Sequence, residues 1–341
     1  MTPSTLSTTL TKAFANNIKV LITGAPGIGK SEIVEAAAAA NGMPVVLMHP
    51  AVSDPCDFKG LPAITPTGAE FLPYGNLRAL IEANRPTVCF IDDIGQAPHA
   101  VQAALMQLIQ ARRIDGVAIS DHILFVGATN DSTHMAGVQS LLEPVKSRWH
   151  TIINLQADLS DWVTWAAHNS IAPIVVAFCR FRGIKALHDF VPTREIKNTP
   201  SPRTVAAASK LYLAGMTSTE VISGATGDGW AVEFEGFRRC WDKMPDPDDC
   251  LKSPLTMPVP DSSDVSTCYA ISTAISLRLN AKNVANGIDY LTRLNSEYSV
   301  LAISDAHRRE AKRAESDQSF PMLNQSAGFT KWAVKFGHLL S

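Results

Sequence analysis

Eight residues, Gly24-Ala25-Pro26-Gly27-Ile28-Gly29-Lys30-Ser31, follow the β-branched apolar run Lys19-Val20-Leu21-Ile22-Thr23 and lead into Glu32-Ile33-Val34-Glu35-Ala36. Their spacing is GxxxxGK[ST], set between a strand pattern and a helix pattern. The residue types suit phosphate. Glycines let backbone N–H groups close around phosphate oxygens, and the helix N-terminus adds a favourable dipole. In such a loop Lys30 reaches the β- and γ-phosphates of a nucleotide, and the Ser31 hydroxyl ligates Mg²⁺. Gly24, Ala25, Pro26, Gly27, Ile28, Gly29, Lys30, Ser31 and Glu32 are therefore the candidate nucleotide-binding residues.

Splitting a phosphoanhydride also requires a carboxylate on a neighbouring strand for Mg²⁺ and a group that polarises water. Val88-Cys89-Phe90-Ile91-Asp92-Asp93 has four apolar residues and two acids, the pattern of a buried parallel strand that delivers Asp92 at its C-terminal end. By itself an Asp-Asp pair after a strand is equally a turn or a helix cap. With the phosphate loop upstream, Asp92 becomes the candidate metal ligand beside Ser31, and Asp93 the candidate base. A third apolar run, His122 to Ala128, ends in Thr129-Asn130. Further on come Leu141-Leu142-Glu143-Pro144-Val145-Lys146-Ser147-Arg148-Trp149 and Ser201-Pro202-Arg203.

Taken singly, Asn130, Arg148 and Arg203 read as caps or surface residues. In this order the motifs resemble the AAA+ ATPases, and specifically their MoxR-type branch. The resemblance covers about Leu6 to Gly215 and implies an α/β fold: an AAA+ P-loop core with a parallel β-sheet flanked by helices, then an all-α lid and additional C-terminal helices. It implies roles as well. Asn130 matches sensor 1, which positions the attacking water. Arg148 matches the arginine finger, inserted into the neighbouring subunit's site. Arg203 matches sensor 2, reaching from the lid to the γ-phosphate. Lys30, Asp93 as the base and these three residues form the implied catalytic set, while adenine contacts fall near Asn17, Ile18 and the Arg203 helix. The family usually carries Glu where this chain has Asp93, one methylene shorter, which points to slow hydrolysis or a repositioned water.

Around these residues the chain divides into a core over 1–155, a helical lid over 156–220 and a C-terminal extension or partner-docking region over 221–341. Within the core, 54–75 is similar to the family's insert in its second helix, with Pro66-Thr67-Gly68 as a turn. Residues 113–121 are similar to its hairpin before sensor 1, with Asp115-Gly116 as the turn. Leu6, Leu10, Ala13 and Phe14 recur at helical spacing and predict an amphipathic opening helix. Asp158 caps a helix that runs on through Ile174, Val175 and Phe178. Trp230, Phe234, Phe237 and Trp241 form an aromatic stripe of core type. Helices follow over Ala270 to Leu279, Val284 to Leu294, Tyr298 to Ala314 and Phe329 to Leu339. Arg180, Arg182, Lys185, Arg194 and Lys197, and again Arg308, Arg309, Lys312 and Arg313, read as solvated basic faces.

Composition excludes several classes. The 341 residues carry 30 Lys+Arg against 32 Asp+Glu, a formal charge of −2, which argues against a surface devoted to nucleic acid or anionic lipid. The longest stretch without charge, Ala36 to Ser53, is broken by Asn41, Gly42, Pro44, His49 and Pro50, so no membrane span is expected. Six scattered cysteines without a CxxC pair fit reduced thiols in a cytoplasmic protein. The N-terminus lacks the layout of a signal peptide.

An arginine finger completes a neighbour's site, so the resemblance implies a homo-oligomeric ring, most simply a hexamer, with Mg·ATP between subunits. It implies an ATP hydrolase that remodels or activates a protein client in chaperone fashion, commonly with a von Willebrand factor A-domain partner. Two other readings stay open: a nucleic-acid motor or restriction-type NTPase, and an ATP-dependent scaffold with little turnover.

Overall fold

The computed structural model describes residues 1–66, 68–114, 116–130, 141–193, 195–316 and 323–336. Thr67, Asp115, Arg194 and the end of the last expected helix lie outside them. Two compact units divide the chain: Met1–Gln156 with Val191–Glu195, and Ala157–Phe190 with Ile196–Ser341.

The first unit opens with α1 (Pro3–Ala15), capped by the Thr2 side chain and burying Leu6, Leu10, Ala13 and Phe14 on one stripe. Next come β1 (Val20–Gly24), α2 (Lys30–Ala40) and β2 (Val45–Met48). A hairpin follows, β3 (Leu61–Thr65) and β4 (Gly68–Leu72), pairing Leu61 with Leu72 and Thr65 with Gly68. After α3 (Gly75–Glu82) and β5 (Thr87–Ile91), a 3-10 turn over Ile94–Gln96 leads to α4 (His99–Ala111). A second hairpin, β6 (Arg113–Ile114) with β7 (Val117–Ala118), precedes β8 (Ile123–Asn130), one-turn α5 (Glu143–Lys146) and β9 (Thr151–Asn154).

Five strands form one sheet in the order β2-β5-β8-β1-β9, with every neighbouring pair parallel. Every residue of β5 and of β8 is buried, which is why these strands read as continuous apolar runs. In a doubly wound sheet the loops beyond the strands' carboxyl ends share one edge. The register pairs Gly24 with Asn130 there.

The second unit is helical: α6 (Leu159–Ala166), α7 (Pro173–Arg182), α8 (Ile184–Leu187), α9 (Pro202–Leu213), α10 (Thr219–Thr226), α11 (Asp228–Trp241), α12 (Pro247–Lys252), α13 (Val265–Ser276), α14 (Val284–Leu291), α15 (Ser296–Ser316) and α16 (Ala327–Phe336). One hydrophobic cluster runs from Trp162 to Ala270 and includes Trp230, Phe234 and Phe237, so the packing does not change at residue 220. A second gathers Cys250, Ile271, Tyr290, Tyr298 and Trp332.

Three expectations need correcting. The helix capped by Asp158 does not run through Phe178: it ends at Ala166, and a new one begins at Pro173. Proline disfavours helical backbone in the residue before it and is well placed at the start of a helix. Arg180 is not a solvated lid charge, because it pairs with Asp305 and both side chains are almost fully buried. Nor is the Arg308–Arg313 run wholly a solvated face. Arg309 is buried, donating to the Ser276 carbonyl at 2.7 Å and to Glu310 at 3.0 Å, while Arg308, Lys312 and Arg313 are exposed. Among the described residues no helix is long and apolar enough to cross a membrane.

Candidate functional site

The loop between β1 and α2 is shaped by its glycines. A Cβ on Gly24 would stand 2.8 Å from the Leu155 carbonyl oxygen and 2.6 Å from Ile28 Cδ1, so the close approach itself requires glycine. Gly29 has open space but φ of 95°, the left-handed region, as the residue that starts α2. Ala25, Pro26, Gly27 and Ile28 complete the turn between them.

Lys30 follows, buried despite its charge. Its Nζ donates to the Gly24 carbonyl at 3.1 Å, the Ala25 carbonyl at 3.0 Å and Asn130 Oδ1 at 2.8 Å. A buried ammonium is tolerated when oxygens surround it. Since an ammonium only donates, the Asn130 oxygen must face Lys30, which turns Asn130 Nδ2 to Asp93 Oδ1 at 3.3 Å. Gln96 Nε2 reaches the same Asp93 oxygen at 3.3 Å. Asp93 itself sits at φ 52° and ψ 35°, a left-handed conformation that Asp adopts more readily than most side chains.

One residue earlier, Asp92 Oδ2 accepts from the Ser31 hydroxyl at 2.6 Å, and Asp92 Oδ1 from the Asp93 N–H at 2.9 Å. A hydroxyl and a carboxylate brought together at a phosphate loop are the hard oxygen donors that Mg²⁺ takes, with phosphate and water completing its shell. Ser31 and Asp92 thus fit the metal that the sequence implies.

The structure brings together Lys30, Ser31, Asp92, Asp93 and Asn130 from the ends of two adjacent strands, β5 and β8, and the start of α2. Glu32 lies in the first turn of α2, exposed, and Ile18 is 39% exposed just before β1. Arg148 lies beyond the C-terminal end of α5. Its Nη1 donates to the Pro144 carbonyl, and its Nε is buried without a hydrogen-bond partner among the described residues. The next residue, Trp149, is buried where a Cβ on Gly127 of β8 would come within 2.7 Å of its ring. Arg203 belongs to the other unit, exposed in the first turn of α9, whose start is fixed by a capping box of Ser201 and Thr204.

Two residues escaped the sequence reading. Gln96, in the turn after Asp93, lies in no motif. Gln102 gave a signal: it falls with Val101, Leu105 and Ile109 on the buried stripe of α4, where a polar side chain needs partners.

Residues 19–149 match the family profile described as AAA domain (dynein-related subfamily). No curated protein matches the chain. Among solved structures, a point mutant of Thermotoga maritima RuvB is similar at 20% identity and a TM-score of 0.44, over 87% of this chain and 86% of that one. The structure described as the T. maritima RuvB Holliday junction branch migration motor gives 20% identity and 0.41, over 88% and 86%. NtrX from Brucella abortus in complex with ADP gives 13% identity and 0.43, over 99% and 68%.

Proposed function

We propose that the chain, whose residues 19–149 match the AAA-domain profile, is a MoxR-like AAA+ ATPase that assembles into a ring, binds Mg·ATP between subunits and uses hydrolysis to remodel a protein client. A hexamer with a von Willebrand factor A-domain partner is the form the sequence resemblance suggests. The observation that carries the reading is the hydrogen-bonded line Lys30–Asn130–Asp93, set beside Ser31–Asp92 at the phosphate loop.

Each residue then has a task. The backbone N–H groups of 24–31 bind phosphate oxygens, and Lys30 exchanges carbonyl partners for the more strongly accepting β- and γ-phosphates. Ser31 and Asp92 would hold Mg²⁺, which would supply charge neutralisation at the phosphates. Asn130 orients water, and Asp93 takes its proton as the oxygen attacks the γ-phosphorus and the bond to the ADP oxygen breaks. Arg148 stabilises that charge in the neighbouring subunit, and Arg203 contributes from the helical unit. One observation favours a second reading, the scaffold with little turnover: the base is an aspartate, held by two amides at 3.3 Å.

Sedimentation velocity with and without Mg·ATP, with phosphate release on the same samples, tests both. The expected result is a nucleotide-dependent ring whose turnover is abolished by Lys30→Ala and lowered to a small, still measurable rate by Arg148→Ala. A ring without turnover supports the scaffold, and a monomer that hydrolyses ATP unaided removes Arg148 from the mechanism.

A further inference from the structure

Gln102 has no exposed surface, yet it is polar and no step of the proposed reaction uses it. Its amide is engaged at both ends. Nε2 donates to the Ala97 carbonyl at 3.1 Å, and Oε1 accepts from the Leu142 N–H at 3.0 Å. A carbonyl can only accept and a backbone N–H can only donate, so these partners fix a single orientation of the amide. Ala97 closes the 3-10 turn that Asp93 opens. Leu142 opens α5: its carbonyl accepts from Val145 N–H at 2.8 Å and Lys146 N–H at 3.1 Å. Arg148 hangs from the same turn, through its N–H to the Val145 carbonyl at 3.3 Å and its guanidinium to the Pro144 carbonyl.

Gln102 therefore joins the turn that bears the candidate base to the turn that bears the candidate arginine finger. We propose that Gln102 is a positioning residue that couples the nucleotide site of its own subunit to Arg148, the group offered to the neighbour. The inference rests on the ring reading above. Asp93 is linked through Asn130 to Lys30, so the exchange of Lys30 partners that ATP requires is felt at residues 93–97. The Gln102 bridge passes it on to α5. An apolar side chain of the same size would fill the space but leave Ala97 and Leu142 unpaired and the two turns independent.

The test is a double-mutant cycle in the full-length chain with Gln102→Met, Arg148→Ala and the pair, reading kcat and, separately, ATP affinity with a fluorescent analogue. Gln102→Met is expected to keep affinity within about twofold and lower kcat about tenfold, with the pair no slower than Arg148→Ala alone, because both changes remove one function. A kcat for Gln102→Met equal to wild type overturns the coupling. So does a pair whose loss over Arg148→Ala repeats the full Gln102→Met loss, the pattern of a residue that acts only on stability. If Gln102→Met does not fold, hydrogen exchange on the wild type decides. Binding of a non-hydrolysable ATP analogue is expected to change protection of the Leu142 amide, and unchanged protection overturns the proposal. Arg148→Ala with wild-type turnover would instead show that the ring reading itself has failed.

Discussion

The proposed base, Asp93, has the shorter of the two acidic side chains and stands on a left-handed backbone. One missing methylene withdraws the carboxylate from the place where a glutamate would meet water, and a base displaced by that much works at a distance cost. Asp93→Glu is therefore expected to raise kcat, by about threefold to tenfold, a modest part of the factor that general bases contribute. ATP affinity should stay near wild type, because the phosphate loop and the Ser31–Asp92 pair are untouched. Single-turnover phosphate release measures this directly, and a kcat that is unchanged or lower means that Asp93 already sits where the water needs it. Asp93→Asn is the companion: it keeps the hydrogen-bonding shape and removes the basic oxygen, so binding should persist while turnover is lost.

Elements show where buried charge shapes the helical unit. Arg180 on α7 and Asp305 on α15 pair with almost no solvent exposure. Burial pushes the Asp305 carboxyl above its ordinary range, while Arg180, Arg308 and Arg309 pull it down. Arg180→Met removes the nearest of these opposing charges and leaves a buried carboxylate, a loss of about 3–5 kcal/mol near neutral pH. The sign follows from proton linkage. A carboxyl whose folded pKa lies above its unfolded value holds its proton more tightly when folded, so the penalty is full above the folded pKa and fades as pH falls through it. Denaturant titrations at neutral and mildly acid pH should find the Arg180→Met deficit smaller in acid, and Arg180→Met with Asp305→Leu should recover most of it. A deficit that grows in acid would contradict the assignment. None of this pairing was legible in the sequence, where Arg180 and Asp305 stand 125 positions apart and each reads as surface charge. The three central strands were legible, because a strand buried on both faces is an unbroken apolar run. The two edge strands were not, since β2 and β9 are four residues long and only part-buried.

At the scale of the whole chain, the motifs of the first unit were legible because phosphate chemistry constrains both residue type and spacing. The second unit is held by apolar packing that many sequences satisfy, so its short helices α10 and α12 left no comparable mark, although the Trp230, Phe234 and Phe237 stripe did show a core face. Strand order and the Gln102 bridge belong to the same class of contacts, set by folding between distant segments. Thiols distinguish the units by measurement. Cys56 is exposed in the insert, while Cys89 on β5 and Cys179 on α7 are buried. Burial pushes the Cys89 thiol up to about 12 and moves that of Cys179 in the same direction. Alkylation needs a thiolate within reach, so Cys56 is expected to react in the folded protein and the other two through opening of their units. Nucleotide that binds the folded first unit lowers the population of its open form. At about one hundred times Kd the effect is ~2.7 kcal/mol, or roughly a hundredfold slower labelling of Cys89 when opening is in rapid equilibrium. Mass-resolved labelling of wild type with Mg·ATP should show that protection, and Lys30→Ala should lose most of it. Cys56 should label at a rate set by its own surroundings, slowed by ATP to the extent that ring assembly covers the insert. A Cys89 rate that ignores Mg·ATP in the wild type would mean that the folded first unit does not bind the nucleotide, and the assignment of Lys30, Ser31 and Asp92 would fall with it.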